Sequence, residues 1–155
     1  MTAFLNYKKA ILMNQEGAVL VYVLMLFSVI FILATSLLSI FSSNLKQAKY
    51  QENNMEAYYL SYSGALMAFA AISEDHNELL YKIVNNNEVR TETNIKIDSY
   101  SDNTIDVKAI KSIDPEYLGW VEITSIGTLG SSGRSAKAIL YIDPSNTKNI
   151  KWKAF

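Results

Sequence analysis

Three groups of side chains have types and spacing that bear on chemistry. Asp98, Asp102 and Asp106 recur around a turn, and three carboxylates are the beginning of a divalent-cation site. They lack the central glycine and terminal glutamate of a calcium loop, so solvation of a hairpin is their expected role. His76 is the only histidine. Neither a two-histidine metal site nor a Ser-His-Asp triad with a spare base can therefore be built, and a place on a helix surface is expected for it. Gly127, Gly130 and Gly133 punctuate a Ser-rich segment, but a phosphate cradle needs a helix after its loop and here a strand pattern follows. Cysteine is absent, which excludes disulfides, thiol catalysis and Cys-ligated metals. No nucleophile with its base stands out, so no catalysis, no cofactor and no metal is expected. The 14 Lys and Arg residues against 15 Asp and Glu, net charge −1, make no electrostatic case for nucleic acid.

The dominant element is the stretch Ala18 to Asn44, 27 residues with no Asp, Glu, Lys, Arg, His, Gly or Pro. Its part from Ala18 to Phe41, AVLVYVLMLFSVIFILATSLLSIF, contains 16 Val, Leu, Ile or Phe residues among 24. As a helix it is roughly 36 Å long, against a hydrocarbon core of about 30 Å. At about 0.3 to 0.6 kcal/mol of favourable insertion each, these residues outweigh the few hydroxyls by several kcal/mol. A core helix of a small soluble protein is not apolar on every side for this long. A membrane-spanning helix is expected.

Ahead of it stands MTAFLNYKKAILMNQEG, with Lys8 and Lys9 as its positive charge and Glu16-Gly17 at the edge of the apolar run. A secretory signal has a shorter apolar region followed by a small-residue cleavage site. The one weak match, Ala34-Thr35-Ser36, lies inside the run and would leave an apolar mature N-terminus. Lys46 and Lys49 balance Lys8 and Lys9, so charge does not orient the span.

A short basic leader, a glycine and an uncharged helix directly after it resemble the class III signal of type IV prepilins. The segment Gln15-Glu16-Gly17-Ala18-Val19-Leu20-Val21 is most similar to PilX-like minor pilins and K-type pseudopilins. Met55-Glu56-Ala57-Tyr58-Tyr59-Leu60-Ser61-Tyr62-Ser63-Gly64-Ala65 resembles the helix end of the same group. The likeness covers about the first 70 residues well and the rest in general architecture. It implies cleavage between Gly17 and Ala18 by a prepilin peptidase, N-methylation of Ala18, and partners that are other pilins or pseudopilins, with membrane lipid before assembly. It divides the chain into a leader (1–17), a transmembrane and assembly helix (18–44) and an extracytoplasmic domain (45–155). Shaft-forming members of the family carry glutamate at the fifth mature position, where this chain has Tyr22. That departure implies a minor, priming or tip-located subunit.

The helix is expected to continue to about Ile72, because neither Pro nor Gly occurs between Gly17 and Gly64. Leu45, Ala48, Glu52, Met55, Tyr59, Tyr62, Leu66 and Phe69 step by three and four, which predicts the stripe that packs on a sheet or a partner. Ser73 is expected to cap a second helix with Leu79, Leu80, Ile83 and Val84 as its apolar face, ended by Asn85-Asn86-Asn87. Alternation predicts strands at 94–100, 104–111, 120–127 and 136–143, with hairpin turns at Ser101-Asp102-Asn103 and at the glycines of 127–133. The last hairpin is similar to that of many minor pilins from Gram-positive bacteria. Ile150, Trp152 and Phe155 lie in a tail that either adds an edge strand or covers the sheet. The expected fold is α+β and pilin-like: a long N-terminal helix, its apolar half membrane-spanning, packed against an antiparallel sheet of about four strands. The function that follows is assembly into a type IV pilus or related pseudopilus. The alternative is a single-span membrane protein with an extracytoplasmic binding domain, outside any filament.

Overall fold

The computed structural model describes residues 2–75, 78–96 and 102–153, of which 2–16 as backbone only. The chain forms two compact units, Met1–Ala48 and Lys49–Phe155, and helix α1 (Thr2–Glu74) contributes to both. The helix does not begin at Ala18 but runs back through Gly17 to Thr2. In the first unit the described side chains from Gly17 onward are all exposed.

The second unit is α+β. The end of α1 and a short helix α2 (Glu78–Asn85) cover one face of a five-stranded antiparallel meander. Its strands are β1 (Arg90–Lys96), β2 (Thr104–Lys111), β3 (Val121–Thr128), β4 (Ser135–Asp143) and β5 (Asn146–Trp152), paired in chain order. The sheet thus has one strand more than expected, because the tail pairs with β4: Ile142 opposes Ile150 and Leu140 opposes Trp152. Alternation places Ile105, Val107 and Ala109 of β2 and Val121, Ile123, Ser125 and Gly127 of β3 on the buried side. β4 is buried on both faces from Ala138 to Ile142. The far side of Tyr141 is covered by the ring of Tyr117, stacked at 4.3 Å.

The face of α1 that meets the sheet is not the predicted stripe. Ala57, Ser61, Gly64, Ala65 and Ile72 are buried, whereas Met55 and Tyr59 are 57% and 61% exposed. Tyr62 is half-buried under Trp152, with rings 4.3 Å apart and nearly parallel. Small residues win because helix and sheet approach to backbone contact. A Cβ added at Gly127 would lie 2.6 Å from the Ser61 amide nitrogen and 2.8 Å from the Ala57 carbonyl oxygen. One added at Gly64 would collide with Ile105 and with the Ser125 hydroxyl. No larger side chain fits this crossing. A strict three-four stepping also drifts around a 3.6-residue helix, so a long stripe cannot hold one face.

Two local boundaries also differ from expectation. α1 runs past Ser73 to Glu74, and the Asp75 carboxylate accepts the Leu79 amide of α2 at 3.2 Å. Ser73 does not start the second helix, because the helix ahead of it does not stop there. α2 closes near Asn87, in the left-handed region at φ 52°. β1 begins at Arg90 rather than Asn94. Asn94 sits at φ 56° in an irregularity of the β1–β2 register and donates its amide to Asp106 at 2.7 Å. A bulge and the charged sequence RTETNIK blunt this edge of the sheet against pairing with other strands.

Candidate functional site: the exposed apolar helix

From Val19 to Phe41 the large apolar side chains all face outward with no part of their own fold against them. Three of the hydroxyls in this stretch, those of Ser28, Thr35 and Ser36, are bonded within the helix. Ser28 donates to the Met25 carbonyl at 2.7 Å, Thr35 to Ile32 at 2.9 Å and Ser36 to Ile32 at 2.8 Å. These bonds close on the helix's own carbonyls, so these three groups cost less in hydrocarbon than free hydroxyls would. The stretch is long and apolar enough to cross a membrane and is compatible with a single span.

Gly17 is helical, exposed and free of neighbours: a Cβ built on it meets nothing within 4 Å. Glycine inside a helix costs about 1 kcal/mol relative to alanine. Unlike Gly64 and Gly127, it returns nothing in packing within this chain. Ala18 follows in the same helix, and Tyr22 points outward with 66% exposure. The three residues singled out from the sequence lie on one helix and are exposed, with no cleft around them among the described residues.

The remaining sequence candidates do not assemble. Asp98 and His76 lie outside the described residues. Asp106 serves the β1 bulge, and no group of three metal-ligating side chains occurs among the described residues. The Gly127–Gly133 segment is a hairpin turn, with the Leu129 amide donating to the Arg134 carbonyl at 2.8 Å and β4 following.

One cluster was not visible in the sequence. Asp114 caps the 3₁₀ turn Pro115–Tyr117 and accepts from Tyr141 Oη at 3.1 Å and Lys153 Nζ at 2.9 Å. Its members stand 27 and 39 residues apart, so no local pattern announces them. The hydrogen bond from Lys153, then that from the Glu116 amide, hold the Asp114 carboxyl below the usual aspartate range. The bond to Asp114 holds Lys153 above the usual lysine range, and burial pushes the Tyr141 phenol up. All three groups are occupied with one another, so the cluster works as a latch between the tail and the β2–β3 loop. The depressed aspartate stabilises the fold above its unfolded value, and this is lost as pH falls through its folded value. The raised lysine stabilises below its unfolded value, and this is lost as pH rises through its folded value. Asp114→Asn is therefore expected to flatten the acid limb of a melting-temperature profile measured against pH. An unchanged acid limb would assign that limb to other carboxylates.

A cavity of about 340 Å³ opens beside the end of α1, between Ala68, Ile72, Ile83 and Val107, with Arg90 and Glu92 in its wall. Its size is at the lower end for small-molecule sites, and its lining is apolar without a nucleophile. Comparison of the chain with protein-family models, with curated proteins and with solved structures finds no match.

Proposed function

We propose that this protein is a minor subunit, priming or tip-located, of a type IV pilus or a related pseudopilus, and that it acts by assembly. The observation that carries the reading is the pairing of Gly17, which has no packing role, with an uncharged and wholly exposed helix immediately after it. A prepilin peptidase would cut between Gly17 and Ala18, and Ala18 would become the methylated N-terminus. The helix would hold the chain in the cytoplasmic membrane, with the domain outside, until neighbouring pilin helices replace lipid around it. Ser28, Thr35 and Ser36 already bond to the helix's own backbone, which lowers the cost of that exchange at these three positions. Tyr22 supports a minor role, since it supplies no carboxylate to a neighbour's N-terminal amine. The test is an intact mass of the protein taken from its native membrane. A chain beginning at Ala18 with one added methyl group is expected, and a chain beginning at Met1 would sink the filament reading.

The apolar cavity favours a second reading, a single-span membrane protein whose domain binds a small ligand outside any filament. An uncut chain would leave this one standing.

A further inference from the structure

The cavity beside the end of α1 exists because the core loses a layer at the edge of the sheet. β1 pairs Arg90 with Ala109 and Glu92 with Val107. Ala109 and Val107 are buried, and Arg90 and Glu92 share their side of the sheet, so all four line the same space. Charge stands here where an apolar side chain would close the core, and opposite it α1 offers the short side chains of Ala68 and Ala71. The space left is about 340 Å³, whereas an apolar cavity of about 150 Å³ already holds benzene. Met67 and Ala71 in its wall are exposed, so it opens to water.

An inward charge on an edge strand discourages pairing with other strands, but that role requires no apolar space behind it. The two charges also differ in their partners. The Arg90 guanidinium is held by Glu88 at 2.7 Å. Among the described residues no cation pairs with Glu92. The cavity thus combines an apolar interior with one unpaired carboxylate at its mouth.

We infer that this cavity binds a small cationic amphiphile, an aliphatic body carrying one ammonium group. The body lies between Ile72, Ile83 and Val107, and the ammonium donates to the Glu92 carboxylate at the mouth. Arg90 is neutralised by Glu88, so the balance at the mouth is negative and disfavours a carboxylate head. The inference rests on the ligand reading of this cavity and is independent of cleavage after Gly17. All of its residues lie in the second unit.

The full chain in phosphatidylcholine nanodiscs would be titrated with hexylamine, hexanol and hexanoate near neutral pH, where an alkylamine is charged. The methyl resonances of Ile72, Ile83 and Val107 report on the cavity. Those of Ile32, in the apolar stretch, give the background of probe dissolved in lipid. Saturable shifts confined to the cavity methyls are expected. Hexylamine is expected to half-saturate at about fivefold lower concentration than hexanol, with hexanoate weakest. Glu92→Gln is expected to bring hexylamine to the hexanol value and leave hexanol unchanged. Ala71→Leu, at an exposed helix position that accepts leucine, is expected to abolish saturation by all three. Hexanol or hexanoate binding as tightly as hexylamine would overturn the cationic assignment and leave a ligand cavity. A preference for hexylamine that survives Glu92→Gln would do the same. Saturation that survives Ala71→Leu would place the site elsewhere and overturn the inference. No saturable shift from any probe would overturn the inference and the ligand reading together.

Discussion

A chain with leucine at position 17 is expected to remain uncut, with a mature product reduced about ten- to a hundredfold against the natural chain in the same cells. The expectation rests on a contrast among glycines. At Gly64 and Gly127 an added carbon would strike the opposing element, whereas at Gly17 it meets open space. Leucine there also favours the helix by about 0.8 to 1 kcal/mol over glycine. Gly17→Leu therefore does not disturb the fold, and a loss of processing must come from an enzyme that reads this position. A peptidase pocket shaped for glycine rejects the larger side chain by clash, which is a stronger discriminator than a missing contact. The measurement is the ratio of full-length to shortened chain by mass or gel mobility in cells that make the peptidase. Equal cleavage of both chains would leave Gly17 a chance residue and remove the prepilin reading.

Gly127→Val is expected to cost about 3 kcal/mol or more of domain stability, a large share of the roughly 5 to 15 kcal/mol that domains possess. The clash is with backbone, the Ser61 nitrogen and the Ala57 carbonyl oxygen, which cannot rotate away as a side chain can. Relief requires α1 to lift from β3, which opens the contact of Gly64 with Ile105 and uncovers Ala57 and Ala65. Urea unfolding of the full chain in detergent, followed by Trp120 and Trp152 fluorescence, reports the loss. Gly133→Ala is the comparison. Its φ of 64° makes alanine strained there, but no neighbour lies within 4 Å. Its expected cost is about 1 kcal/mol. Equal costs at the two positions would show that backbone freedom, and not the close crossing, sets the requirement at Gly127.

The latch and the crossing mark where sequence reasoning stopped. Strands β2, β3 and β4 were legible because alternation over eight or nine residues is a local property with one meaning. β5 was legible only as one of two alternatives for the tail, since NTKNIKW has a weak alternation and pairs because β4 offers an open edge. The helix face was misread for a different reason. Large apolar residues at three-four spacing usually mark the buried side, but the separation between helix and sheet decides which sizes fit. Here Gly64, Gly127 and Ser61 bring the two layers to backbone contact and leave Met55 and Tyr59 outside.

What the sequence determined by itself is the uncharged run and its abrupt start after Gly17, because length, charge and polarity along one helix are properties of consecutive residues; that the helix itself runs back to Thr2 was not among them. It also determined the class, α+β with an antiparallel sheet. The tertiary structure decided which face of α1 meets the sheet, that the tail becomes a fifth strand, and that Asp114, Tyr141 and Lys153 meet. The Arg134 guanidinium over the Tyr50 ring belongs to the same group, as contacts between residues 27 to 84 positions apart have no local signature. Such pairs exist only once the layers are stacked, and the distance at which layers stack is set by the smallest side chains between them.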